Sequence, residues 1–272
     1  MTYRARSVPV TLDDGARTIC DAYGERGPVV LCVHGISASR LSWARLGERL
    51  ADTHRVFSYD QRGHGDSADI IGPMTLERVV RDLMTVARTL PTVDLLVGHC
   101  WGGAVVLEAA RRLEPLQVLA VEPIIRVLPG TYERQYLNAD VRWIFTSEGE
   151  RREAALRRMF ASLDPIDREA EVHAKRSLSL LVLERLGTHN QAEEGGWDLR
   201  EAVVNYPSPL RIARAGVDSA ISEEDVAFLR ERGGPNVKID LFRDQGRWLH
   251  RSAFEQFAAL TADLARIPVG AE

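Results

Sequence analysis

The segment Gly98-His99-Cys100-Trp101-Gly102-Gly103 sets a thiol between glycines, directly after the apolar run 93–97 and before an apolar stretch with helical spacing. A nucleophile placed between strand and helix, with glycine on both sides, has the pattern of a sharp, strained turn that leaves no room for Cβ atoms at the flanking positions. Cys100 should therefore stand at the tip of a sheet above a helix N-terminus, where the dipole favours a thiolate, and a lowered thiol pKa is expected. A second element agrees with it. His34-Gly35-Ile36 closes the apolar run 28–33, and the glycine lets the chain turn so that the Ile36 amide can aim at the same point as the Trp101 amide. Two such donors make an oxyanion hole, and losing one typically costs about 10²- to 10³-fold in rate. His34 itself reads as a structural hydrogen-bonder in that turn. Cys20 and Cys32 lie in apolar strand-like runs and read as buried small hydrophobes.

These residues need a scaffold, and periodicity supplies one. Short β-rich runs at 28–33, 55–59, 93–97 and 117–121 alternate with helical spacing at 41–51, 76–90 (after a Thr75 N-cap) and 101–113. Residues 4–10 and 17–23 flank the hairpin signal Asp13-Asp14-Gly15. The alternation returns with strand 210–213, helix 222–232, strand 237–242 and helix 252–266, and Ser222/Asp225 and Ser252/Glu255 have capping-box spacing. The expected fold class is α/β, a mostly parallel sheet flanked by helices. Between Glu122 and Tyr206 only helical segments appear, at 150–163 and 168–186. Residues 124–206 are thus expected to be a helical lid inserted into a core of 1–123 and 207–272, with Pro129-Gly130, Gly195-Gly196, Pro207 and Pro209 as hinge positions.

Composition narrows the function. With 45% hydrophobic and 27% charged residues the chain is that of an ordinary globular protein. A net charge of −4, from 35 basic and 39 acidic residues of mixed order, offers no basic stripe for nucleic acid. No apolar stretch approaches the ~20 residues that span a bilayer, and no signal-like segment opens the chain, so the expectation is a cytoplasmic protein. Three cysteines without ligand spacing suggest neither a disulfide framework nor a metal site, and no dinucleotide fingerprint implies a cofactor.

Four motifs resemble those of the α/β-hydrolase fold superfamily: His34-Gly35, the run from Tyr59 to Ser67 (Tyr-Asp-Gln-Arg-Gly-His-Gly-Asp-Ser), the elbow from Gly98 to Gly102, and Ala215-Gly216-Val217-Asp218. The resemblance implies that Asp218 is the acid that orients a histidine and stabilises its imidazolium. It implies a small-molecule pocket between the elbow edge and the lid, and a structural turn tied by Asp60 and Arg62 at the Tyr59 run. Two positions depart from the family pattern. Cysteine replaces the usual serine, as in the dienelactone-hydrolase-like members, which is sound chemistry because a thiolate attacks carbonyls with less help from a base. Arg247 stands where relatives carry the base, five residues after Phe242, and His250 follows three residues later. Either His250 serves as base through a different loop course, or Arg247, which stays protonated, favours the thiolate or clamps an anion instead. His99 and Glu122 are reserve acid–base candidates. Trp101, Trp143 and Trp197 are the aromatic residues placed to line the pocket, and Arg126, Arg134 and Arg142 the cations that the lid could offer an anionic substrate. Two functions remain: hydrolysis of an ester, thioester or lactone through Cys100, or a lyase, cyclase, isomerase or ligand-binding protein built on the same pocket. Oligomeric state is not legible.

Overall fold

A computed structural model describes residues 5–132, 137, 142, 149–190, 196–204 and 206–266. Among these, eight strands form one sheet in the order β1-β2-β4-β3-β5-β6-β9-β10. They are β1 (Arg6–Thr11), β2 (Arg17–Tyr23), β3 (Val29–Val33), β4 (Arg55–Tyr59), β5 (Leu95–His99), β6 (Gln117–Val121), β9 (Leu210–Ala215) and β10 (Val237–Phe242). A two-stranded pair, β7 (Arg126–Val127) with β8 (Trp197–Asp198), lies apart from it. The β1–β2 and β2–β4 pairs are antiparallel and the rest of the large sheet is parallel. Every residue of β3, β5 and β6 is buried, as continuous apolar runs require when helices cover both faces. β5 begins two residues later than the apolar run suggests, because the Asp94 carboxylate accepts from the Val29 amide at 2.6 Å. It therefore ends on His99, paired with Val121, so the elbow starts from a buried histidine.

Helices α1 (Ala44–Leu50), α2 (Leu76–Arg88) and α3 (Trp101–Leu113) follow their strands. α2 buries Val79, Val80, Leu83, Val86 and Ala87 along one stripe, and Thr75 caps it by accepting from the Arg78 amide. Between β6 and β9 run α4 (Gly149–Met159), α5 (Pro165–Ser177), α6 (Leu180–His189) and α7 (Arg200–Val203). The expected single helix 168–186 is two, since Asp164 and Ser179 each cap a separate start. α8 (Glu223–Arg232) has Ser222 as its cap, accepting from Asp225. The Ser252 cap is corrected: Ser252 ends the short helix α9 (Leu249–Ser252), and α10 (Phe254–Arg266) starts two residues later. No helix among the described residues is long and apolar enough to cross a membrane.

The Tyr59–Ser67 run is a structural knot. Asp60 accepts from the Arg40 amide at 2.7 Å, its guanidinium at 2.5 Å and the Asp66 amide at 2.9 Å. A Cβ at Gly65 would lie 2.3 Å from that carboxylate, so glycine is required there. Arg62 forks onto Asp82, with Nε to Oδ2 at 2.5 Å and Nη2 to Oδ1 at 2.8 Å, and both side chains are 1% exposed. Asp82→Ala should cost about 3 kcal/mol in urea denaturation, the low end for a broken buried pair because Asp14 still holds Arg62. Arg62→Met with Asp82→Leu should cost less than Asp82→Ala alone.

Candidate active site

Cys100 has φ 54° and ψ −116°, a left-handed backbone that a non-glycine residue keeps only under constraint. Its amide donates to the Val121 carbonyl at 2.9 Å, and its carbonyl accepts from Ala104 and Ile124. A Cβ at Gly98 would meet the Gly102 carbonyl oxygen at 2.2 Å, and one at Gly102 would meet those of Val33 and His34 at 2.3 and 2.4 Å. The steric reason for both glycines is thus present. Gly35 is less tightly constrained, since a Cβ there would stand 3.0 Å from Cys100 Cβ and 3.2 Å from His99 Nδ1. The backbone amides of Trp101 and Ile36 both face the thiol and favour its ionised form.

A cavity of about 520 Å³ opens at this point, bounded by the His34–Ala38 turn, His99, Cys100, Glu122, Asp218, the 247–251 segment and α5. Among the described residues five non-glycines have positive φ, and four of them, Ser37, Cys100, Glu122 and Asp218, line this cavity. Backbone strain is concentrated where the chain must aim groups inward. A second cavity of about 440 Å³ shares Phe160, Glu171, Trp248 and Arg251 with the first.

Electrostatics corrects the expected thiolate. Burial pushes the Cys100 thiol up to about 11, and the Trp101 amide, Arg247 and the Ile36 amide only partly offset it. The site is therefore a neutral thiol among neutral imidazoles, because burial also lowers His34 and His99 to about 4 and His250 well below its ordinary value. His34 is spent on the turn: Nδ1 donates to the Gly35 carbonyl at 2.9 Å and Nε2 accepts from the Gln61 amide at 3.0 Å. His99 Nε2 donates to the Arg247 carbonyl at 3.0 Å, which leaves Nδ1 as its lone-pair nitrogen. His250 packs its ring 4.3 Å from that of His99 and 5.3 Å from Trp43, and its buried Nδ1 has no hydrogen-bond partner among the described residues.

Asp218 does not meet a histidine. Its Oδ1 and backbone carbonyl accept from Arg247 Nη2 at 3.0 Å and Nε at 3.1 Å. Glu122 holds the loop that carries Asp218, accepting from the amides of Ala215 and Ala220 and from the Ser219 hydroxyl. Residues of α5 complete the wall. Glu171 accepts from Lys175 at 3.1 Å and Arg251 at 2.7 Å. Lys175 also reaches the Ser37 carbonyl at 2.6 Å, beside Ile36, and Arg251 reaches Ser42. Burial alone would raise Glu171, but the two cations hold its carboxyl down to about 2.

The aromatic expectation changes as well. Trp197 turns its ring to the buried Trp101, 5.5 Å away, and neither lines either of these two cavities; Trp43 and Trp248 do. Trp143 and Arg134 lie outside the described residues. Arg126 pairs with Glu224 and Asp225, and Arg142 donates to the Leu137 carbonyl. The cation of the insertion that does line the cavity is Lys175, one of two lysines in the chain, and that scarcity is the signal the sequence carries for it.

Residues 30–260 match the family model described as "Alpha/beta hydrolase family". The chain belongs to the alpha/beta hydrolase family. It is 25% identical over 251 residues to the dihydrolipoyllysine-residue acetyltransferase component of the acetoin cleaving system of Pseudomonas putida, covering 86% of this chain and 62% of that one. It is 29% identical over 136 residues to a putative 2-succinyl-6-hydroxy-2,4-cyclohexadiene-1-carboxylate synthase of Bacillus subtilis (strain 168), covering 47% and 49%. The chain thus spans between about half and just under two thirds of the length of these two relatives. An esterase of Exiguobacterium antarcticum shares the fold with a TM-score of 0.76 at 15% identity, over 96% of this chain and 100% of that one.

Because the thiol pKa is raised, Cys100 alkylation by iodoacetamide should climb about tenfold per pH unit through the neutral and mildly alkaline range and level off only near 11. Cys20, buried and pushed up to about 12, should lag behind it. Mass spectrometry of the native protein across pH reads both; a plateau near neutrality would overturn the assignment. The neutral thiol adds stability fully below its unfolded value, and this is lost as pH rises through 11.

Proposed function

We propose that the protein is an enzyme acting on an ester, thioester or lactone of a small organic molecule, with Cys100 as nucleophile. The observation that carries the reading is the strained elbow with the amides of Ile36 and Trp101 both facing the Cys100 sulfur. In the reaction Sγ attacks the carbonyl carbon, and the developing oxyanion takes hydrogen bonds from the two amides. The leaving alcohol or thiol departs with a proton, and water then cleaves the thioester on Cys100. The sulfur's proton goes to a neutral imidazole. His250 is the proposed base, supported by its place in the cavity wall, its uncharged ring and its unpartnered Nδ1. His99 lies beside it. A guanidinium cannot take that proton, so Arg247 with Asp218 forms a charged clamp where other members hold acid and base. The helices of 124–206, which contribute Phe160, Glu171 and Lys175 to the cavity, act as its lid.

The Arg247–Asp218 pair supports a second reading, in which the pocket performs an elimination, isomerisation or cyclisation, or binds a ligand, without an acyl-enzyme. Cytoplasmic location and a small-molecule partner belong to both readings.

Cys100→Ala and His250→Ala should each lower turnover of a phenyl thioester by at least about 10³-fold with the fold retained, and the parent should carry an acyl adduct on Cys100 after acid quench. Turnover by Cys100→Ala within a few-fold of the parent, with no adduct, would move the weight to the second reading. Arg247→His should raise thioester and ester hydrolysis by about 10²- to 10⁴-fold, because a new imidazole would then lie against Asp218. Unchanged rates in that variant would show that position 247 does not address the nucleophile.

A further inference from the structure

Six charged residues line the cavity around Cys100: Glu122, Glu171, Lys175, Asp218, Arg247 and Arg251. Counting donors and acceptors, together with the burial of each partner, separates those that are committed to the protein from those that are not. Lys175 has three ammonium hydrogens and three partners, the Ser37 carbonyl at 2.6 Å, the Ser37 hydroxyl at 3.1 Å and Glu171 at 3.1 Å. Arg251, only 7% exposed, gives Nη1 to Glu171 and Nη2 to Ser42, with Asp167 at 4.0 Å from Nε. The Glu122 carboxylate is filled by the Ala215 and Ala220 amides and Ser219. Glu122, Glu171 and Lys175 have little left to offer a ligand, and Arg251, whose Nε has no hydrogen-bond partner among the described residues, is a buried cation committed to the equally buried Glu171.

Arg247 differs. It uses Nε and one hydrogen of Nη2 on Asp218, and Nη1 has no acceptor among the described residues. Three of its five donors are free, at a position whose backbone carbonyl is fastened to His99, directly before the nucleophile. The grip of Asp218 is loose, because that carboxylate is 74% exposed and an ion pair in water contributes little. A guanidinium with an open edge on this cavity is a fork for a planar anion.

We propose that Arg247 is a carboxylate-binding group and that the substrate carries a carboxylate close to its reacting carbonyl. The proposal rests on the reading of Cys100 as the nucleophile. It assigns the arginine a role that neither a base nor a structural residue would have, which is to orient an anionic acyl compound so that its carbonyl lies between Sγ and the two amides. Asp218 then holds the fork when the site is empty and competes with the substrate for it.

Iodoacetate and iodoacetamide test this without a known substrate, since they differ in a carboxylate against a neutral amide, and with both Sγ forms a bond to the methylene carbon as iodide leaves. The readout is the ratio of the two alkylation rates at Cys100, divided by the same ratio for the urea-unfolded chain. A charge-assisted contact predicts a normalised preference for iodoacetate of about tenfold, although the chain's net charge is −4. Arg247→Gln should return the ratio to one, and Asp218→Asn, which removes the competing anion, should raise it above that of the parent. A merely structural Arg247 would not respond to Asp218→Asn. Labelling by iodoacetamide with a normalised ratio near one, or a preference that survives Arg247→Gln, overturns the proposal while leaving Cys100 as nucleophile. No labelling of native Cys100 by either reagent overturns the nucleophile reading and the proposal with it.

Discussion

The left-handed turn at Cys100 holds because its neighbours offer no Cβ where one would strike backbone. With Gly98 stacked on the Gly102 carbonyl and Gly102 against the carbonyls of Val33 and His34, β3, β5 and α3 approach more closely than any other residue would permit. That approach is what brings the Ile36 amide, from the turn after β3, and the Trp101 amide, from the start of α3, to one side of the sulfur. The bonds from Cys100 to Val121, Ala104 and Ile124 then hold the turn against its strain.

Desolvation dominates the electrostatics that results. A helix N-terminus and two amides favour a thiolate, and Arg247 adds to them, yet burial outweighs all three and leaves the thiol protonated. The same burial keeps His99 and His250 uncharged. Charge enters the cavity with its partners, Arg247 with Asp218, Lys175 and Arg251 with Glu171, and Glu122 with two amides and a hydroxyl, since an unsolvated ion there would be costly.

Glu171 ties these parts together. Through Lys175 it reaches Ser37 beside the Ile36 amide, and it pairs directly with Arg251, the residue after His250, so one carboxylate on α5 links the turn after β3 to the segment after β10. The helices inserted between β6 and β9 are thereby part of the site's wall rather than a separate layer.

The succession of strands and helices, the elbow, the glycine at position 35, the caps at Thr75 and Ser222 and the departure at Arg247 are all carried by local pattern: hydrophobic period, turn chemistry and the spacing of a few residues from strand ends. These depend on neighbours a few positions away, and the sequence by itself determines them. It does not determine the ionisation of Cys100, because desolvation is summed over segments far apart in the chain. Nor does it show that Asp218 pairs with Arg247 and not with a histidine, or that Trp197 packs on Trp101 while Trp43 and Trp248 line the cavities. Glu171, Lys175 and Arg251 read along the chain as ordinary charges on amphipathic helices. They become a buried set only when α5 packs across the sheet's carboxyl edge, since pairing between residues up to 209 positions apart leaves no period in the sequence to read.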